Sequence, residues 1–241
     1  KAPWMKVPLQ LRFPETLTTD TLDFIDHLRD DMPHRVPAPP YAQMWEPSEG
    51  GSLWFRWQFD NQAAGGRITP NEDDLDLEFW LQNNRTDSVS MSLQFCTVMA
   101  GTMFDDRTLE RTWVHAEGQW KRMSETDRGG GKRELCHYPV VGGVAVRDSG
   151  DWGGSKDVAD VGLPAVVSED GKYVFAITWQ KPKTILSNAR IPCIHADPSN
   201  VICPPGKRVH LRGKVYLMEG GLGDLLARVK REMGPLVHVA E

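Results

Sequence analysis

The chain has 241 residues, of which 40% are hydrophobic and 25% charged, and its formal net charge is -5 at pH 7. This length can supply one large domain with a true hydrophobic core. The chain is acidic and lacks the clustered Lys and Arg of a nucleic-acid-binding protein. No apolar run reaches the roughly 20 residues that span a bilayer. We therefore expect neither a nucleic acid nor a membrane as a partner.

The first fifty residues predict an extended arm followed by a helix. Residues 1–17 are punctuated by Pro, and the helix is predicted from Thr18 to Met32, with Asp20 as its cap. We expect the whole segment 1–50 to pack on the rest of the chain.

From Ser52 onward the hydrophobic period changes to two, which is typical of half-buried strands. Further strand patterns follow between Gly and Asn turns as far as residue 218, and one amphipathic helix is predicted from Asp224 to Met233. The alternation assigns one set of side chains to the core: Leu53, Phe55, Trp57, Phe59, Leu75, Leu77, Phe79, Leu81, Leu211 and Val215.

Many short strands without alternating helices argue against a parallel sheet. The predicted fold is all-β: a single antiparallel β-sandwich domain of supersandwich or jelly-roll type over residues 1–241, with short helices near both ends. The polar loop 124–134, which contains Gly129 to Gly131, is expected to be mobile and could act as a lid.

Four segments carry a resemblance to a group of uncharacterised exported bacterial proteins, over the last two-thirds of the chain: residues 75–96, 167–179, 191–198 and 203–229. The strand, Asn-rich turn and strand of 75–96 also resemble sugar-binding supersandwich proteins such as galactose mutarotases and polysaccharide lyases. The chain has Gln94-Phe95-Cys96 where the mutarotases carry a His-Pro-Tyr-type signature. The resemblance therefore implies the sandwich architecture and not mutarotase chemistry.

The sharpest candidate for chemistry is His195 with Asp197, between Pro192 and Pro198. In an extended backbone these two side chains point the same way, and a carboxylate beside an imidazole suits a base or a metal ligand. The alternative is a structural turn in which both side chains serve the backbone.

A second candidate lies on a predicted hairpin, where Arg111, Trp113 and His115 share a face with Trp120 of the partner strand. Aromatic rings stack on sugars, and Arg and His supply hydrogen bonds. Trp54 and Arg56 repeat the arrangement on a smaller scale. A half-exposed sheet face without a ligand would carry the same residues.

His115, His137 and His195 could together hold a divalent metal ion, although none stands at a recognised ligand spacing. Cys193 could join them if it is reduced; the other interpretation is a disulfide between Cys193 and Cys203.

The function predicted from these residues is that of an exported carbohydrate-active protein, which binds a saccharide or polysaccharide on a concave sheet face. It would be a lyase or hydrolase using the catalytic residues His195, Asp197 and His115, with or without a metal. The alternative is a non-catalytic carbohydrate-binding or structural module. We expect a secreted or periplasmic bacterial protein, because two disulfides would suit export and the absence of an initiator Met suggests that an upstream segment was removed.

Overall fold

The structure, a computed structural model, describes residues 5–25, 45–59, 61–130 and 133–234. Most of this part of the chain is extended. The elements are β1 (Gln10–Thr18), β2 (Asp23–Ile25), β3 (Glu46–Pro47), β4 (Leu53–Phe59), β5 (Gln62–Pro70), β6 (Asp74–Asn83), β7 (Val89–Val98), β8 (Thr112–Ala116), β9 (Gln119–Arg122), β10 (Leu135–Pro139), β11 (Trp152–Gly154), β12 (Ala165–Val167), β13 (Tyr173–Trp179), β14 (Pro182–Asn188), β15 (Cys193–Pro198), β16 (Val201–Cys203), β17 (Arg208–Glu219) and the helix α1 (Leu222–Met233).

The strands form two sheets. The eight-stranded sheet runs in the order β11-β10-β14-β15-β7-β1-β2, and β16 also pairs with β7. The nine-stranded sheet runs β3-β4-β5-β6-β17-β13-β12-β8-β9. All neighbouring strands are antiparallel except β10 and β11, so the predicted all-β antiparallel sandwich is confirmed.

The core lies between the inner faces of the two sheets. Phe79 and Phe55 of the nine-stranded sheet and Phe13 and Phe95 of the eight-stranded sheet are at most 1% exposed and belong to one cluster. The alternation of β4 and β6 is therefore read correctly, since Arg56 and Glu78 are exposed. Leu53, which is expected in the core, is 39% exposed, because it is the first residue of β4 and lies beside the two-residue edge strand β3.

The predicted N-terminal helix is wrong where it can be compared. Thr18 ends β1, a tight turn follows, and β2 returns antiparallel to β1. Thr19 Oγ1 accepts hydrogen bonds from the backbone N–H groups of Thr21 and Leu22, which closes this turn. A Thr or Ser before a turn offers the same local hydrogen bonds as a helix cap, so the sequence signal was ambiguous. The remainder, 26–32, lies outside the described residues.

The predicted C-terminal helix is confirmed as α1. Its N-terminus is capped by the Asp224 carboxylate, which accepts a hydrogen bond from the Gly221 N–H. Leu225, Val229 and Met233 are buried against the outer face of β13 and β17. In the described part of the chain, no helix is both long and apolar enough to cross a membrane.

The described part of the 124–134 loop is anchored to the protein. Thr126 and Arg128 are buried, and the Arg128 guanidinium donates to Tyr138 Oη at 2.9 Å and to Ser187 Oγ at 2.8 Å. These buried bonds tie residues 124–130 to β10 and β14, which does not suit a freely moving lid.

Candidate functional site

The outer face of the eight-stranded sheet collects several of the predicted site residues. In β15, Ile194 and Ala196 point into the core, so the alternating Cys193, His195 and Asp197 point outward. His195 lies directly opposite Cys96 of β7. Cys193, His195 and Asp197 share this face because they alternate along β15. Cys96 joins them only because β7, which is distant in the sequence, pairs with β15.

His195 sits among acidic and thiol groups. Its Nδ1 is 3.3 Å from Glu15 Oε2 and 3.9 Å from Asp197 Oδ1, and its Nε2 is 3.7 Å from Cys193 Sγ. The residue is only 5% exposed. The expected proximity of His195 and Asp197 is present, and Glu15, which the sequence analysis did not select, is the nearer carboxylate.

The charges of this group are coupled. Burial alone would lower the pKa of His195, but Cys193, Glu15 and Asp197 together raise it to about 9. A hydrogen bond from Cys96, helped by His195, lowers the pKa of the Cys193 thiol against the effect of burial, and the same hydrogen bond raises the pKa of Cys96. The arrangement favours an imidazolium beside a Cys193 thiolate.

His137 lies on the same face, on β10, which is separated from β15 by β14. It is opposite Leu186 of β14, and Leu186 is itself opposite His195. Burial lowers the pKa of His137, with Asp197 acting in the opposite direction. Its ring is 4.9 Å from the ring of Trp152, and both side chains are partly exposed.

Lys183 and Gln94 complete this face. Lys183 Nζ donates to Ser92 Oγ and to Asn200 Oδ1, each at 2.9 Å, and burial lowers its pKa. Gln94 Nε2 lies 3.4 Å from Asp197 Oδ2. We call the set Glu15, Gln94, His137, Trp152, Lys183, His195 and Asp197 the polar face.

His115 is placed elsewhere, on β8 of the nine-stranded sheet. Its Nδ1 lies 3.0 Å from Asp160 Oδ2, and its ring meets the edge of Trp120 at 5.4 Å. Among the described residues, the group whose ligand atoms lie within 4.8 Å of one another is Cys96, Cys193 and His195, without His115 or His137. The predicted three-histidine metal set is therefore not brought together.

The predicted hairpin face exists, since Trp113 pairs with Arg122 and His115 with Trp120. Its residues are used in packing. Arg111 donates to the carbonyls of Met103, Asp105 and Val167. Trp120 packs on the cluster beneath α1, and the Arg122 guanidinium lies 5.3 Å from the centre of the Trp113 ring. These contacts suit the ligand-free alternative that the sequence left open.

Trp54 and Arg56 lie on the open outer face of the nine-stranded sheet. Trp54 is 37% exposed and stands opposite Arg67, while Arg56 stands opposite Gly65, which lacks a side chain. The Trp80 ring fills the space over Gly65, where an added Cβ would come within 2.4 Å of it. The Arg208 guanidinium stacks 4.4 Å from the centre of that ring, so aromatic and cationic groups lie side by side on this face.

The predicted disulfide is wrong, because all four cysteines are free and buried. Cys193 pairs with Val98 at one end of β7 and Cys203 with Val89 at the other. Nine residues of strand separate these positions by roughly 30 Å. Cys193 thereby joins the candidate ligands, and the cysteines give no argument for export.

No protein-family model and no curated protein matches the chain. The structure is similar to a galactose mutarotase related enzyme from Lactobacillus acidophilus, with a TM-score of 0.46 and 9% identity over 72% of this chain and 70% of that one. A galactose mutarotase-like protein from Lactobacillus casei gives a TM-score of 0.44 and 11% identity over 72% and 73% of the two chains.

A polysaccharide lyase gives a TM-score of 0.37 and 13% identity over 73% of this chain and 23% of the lyase. By their names, the enzymes among these similar structures act on sugars. The resemblance stated from the sequence is thus confirmed as a weak structural similarity to mutarotase-like proteins and to a lyase.

Proposed function

We propose that the chain binds an acidic saccharide on the polar face and acts there as a lyase-type enzyme. The observation that carries the proposal is the convergence on one sheet face of an aromatic pair, a cation, an imidazole and carboxylates from five different strands. Sites of this kind combine apolar contact surface with a few oriented polar groups.

The accessible part of the face suits sugar contact. Trp152 and His137 offer ring surfaces for the C–H faces of a sugar. The Lys183 hydrogen bonds to Ser92 and Asn200 are made to neutral groups, so its charge can serve a sugar carboxylate. These contacts favour a saccharide that contains uronic acid.

The chemistry follows from the imidazole. A neutral His137 can remove the proton from the carbon next to the sugar carboxylate, while Lys183 stabilises the negative charge that develops on it. The bond from the neighbouring ring carbon to the glycosidic oxygen then breaks, a carbon–carbon double bond forms, and the departing oxygen takes up a proton from water. Asp197 contacts Gln94 and His195 and would hold these two side chains of the polar face in position.

The test is an incubation with polysaccharides with and without uronic acids, followed by ultraviolet absorption of the unsaturated product and by affinity electrophoresis. His137→Gln should lower kcat by about 10²- to 10⁴-fold with binding retained. Trp152→Ala should weaken binding by about ten-fold, equivalent to about 1.4 kcal/mol. Absence of binding to every acidic saccharide would refute the proposal.

A second candidate function is a non-catalytic carbohydrate-binding module that uses the exposed Trp54 and the neighbouring Arg56, Arg67 and Arg208. The observation in its favour is that Trp54 is 37% exposed and that Arg208 stacks on Trp80 of the same sheet face. Trp54→Ala is the matched control for Trp152→Ala. Binding that is lost in Trp54→Ala and retained in Trp152→Ala would favour the module.

We further propose that the protein acts outside the cytoplasm, as secreted or periplasmic, because acidic polysaccharides are extracellular polymers. Fractionation of the native cells tests this directly. Recovery in the cytoplasmic fraction alone would contradict it.

A further inference from the structure

We propose that Cys96, Cys193 and His195 form a binding site for Zn²⁺ beneath the polar face. The two thiols and the imidazole come from the adjacent strands β7 and β15, where hydrogen-bonded pairing fixes their relative positions. The site shares His195 with the polar face, but the inference does not rest on saccharide binding.

The distances fit a tetrahedral ion. The three ligand atoms lie within 4.8 Å of one another, and Cys193 Sγ is 3.7 Å from His195 Nε2. With Zn–S bonds of about 2.3 Å and Zn–N bonds of about 2.0–2.1 Å, the edges of such a tetrahedron measure roughly 3.6–3.8 Å. Small rotations of the side chains therefore suffice to bring all three atoms onto one ion.

The choice of metal follows from the donor atoms. Two thiols with one imidazole are soft ligands that favour Zn²⁺ over Mg²⁺ or Ca²⁺, which take oxygen ligands. Two thiolates and a neutral imidazole also balance the charge of a divalent cation. This balance matters because Cys96, Cys193 and His195 are 2%, 6% and 5% exposed, and an uncompensated buried charge is costly.

The surroundings orient the histidine as a metal ligand requires. While Nε2 points toward Cys193, Nδ1 on the other side of the ring faces Glu15 at 3.3 Å and Asp197 at 3.9 Å. A carboxylate behind the second nitrogen fixes the tautomer and orientation of a metal-bound His. Glu15 is therefore a positioning residue for the site.

Burial argues against the other uses of the same thiols. A nucleophilic cysteine must reach its substrate, and Cys193 is only 6% exposed. A metal ion is small and, unlike a bulky substrate, can be held by buried side chains. The three protein donors leave a fourth position for a water molecule or another small ligand.

The experiment titrates the reduced, chelator-treated full chain with Co²⁺ and then with Zn²⁺. We expect saturation at one equivalent of Co²⁺ with a sulfur-to-cobalt charge-transfer band, displaced by Zn²⁺, and a rise of Tm on Zn²⁺ addition. Cys96→Ser and Cys193→Ser should weaken binding at least about 100-fold and reduce the band. Cys136→Ser is the matched control, because Cys136 is also buried and lies in a separate core cluster; it should bind like the wild type.

Glu15→Gln should retain the band and weaken Zn²⁺ binding by about 10- to 100-fold. Circular dichroism without metal identifies a variant that fails to fold, and the Glu15→Gln and Cys136→Ser titrations then still decide the question. Co²⁺ binding without the charge-transfer band would overturn the proposal. So would Zn²⁺ binding that is unchanged in both Cys96→Ser and Cys193→Ser.

Discussion

Phe79→Ala tests the packing of the two sheets at the centre of the core. Phe79 is fully buried, and its ring centre lies 6.1 Å from that of Phe13 in the opposite sheet and 6.3 Å from that of Phe55 in its own. Truncation removes the buried ring and leaves a cavity that the two rigid sheets can only partly close. Phe-to-Ala changes of this kind cost about 3–5 kcal/mol, and contact with both sheets places Phe79 in the upper half of that range.

The assay is urea unfolding of the full chain followed by fluorescence and circular dichroism. The unfolding midpoint should fall at constant m, because the surface exposed on unfolding hardly changes. Glu78→Ala is the matched control on the adjacent, solvent-facing position and should stay within about 0.5 kcal/mol of the wild type.

A loss below about 1 kcal/mol in Phe79→Ala would refute the packing described here. Equal losses in Phe79→Ala and Glu78→Ala would show that the register of β6 is wrong, since a slip by one residue exchanges the two faces.

The remaining predictions concern the strand β17, a salt-bridge network and the thiols. Gly213→Ala should cost about 1–3 kcal/mol in urea unfolding because an added Cβ would meet the Trp179 ring at 2.6 Å, whereas Gly223→Ala, in open space, should not destabilise. Burial raises the pKa of Asp76, but its hydrogen bonds to Asn71 and Lys214 lower the pKa overall. The ionised carboxylate therefore stabilises the fold at pH values above its unfolded pKa, and this stabilisation is lost as pH falls below about 4. Lys214→Met should accordingly reduce the loss of unfolding free energy between about pH 6 and pH 3. An unchanged dependence of the unfolding free energy on pH would contradict the salt bridge between Lys214 and Asp76. In denaturant with a chelator and without reductant, all four cysteines should react with a thiol reagent, and two missing thiols would indicate a disulfide.

The period of two in β4, β6 and β17 was enough to identify the strands and most of the core. Each strand carries its own alternation, and burying one face dictates which residues point inward, so Phe55, Phe79 and Val215 could be assigned without their partners. The helix α1 was equally readable from its amphipathic spacing. Where a local signal had two physical meanings, as with the turn after Thr18, the prediction failed.

The sequence by itself determined that the chain is an all-β sandwich and that His195 and Asp197 share a strand face. The tertiary structure decided which other groups join them on that face: Cys96, Glu15 and His137 come from three other strands, and His115 lies on the second sheet. It also separated Cys193 from Cys203 along the length of β7. Alternation along a strand is a local property of the backbone, whereas strand order and register depend on contacts between residues far apart in the chain, and these set the composition of the site.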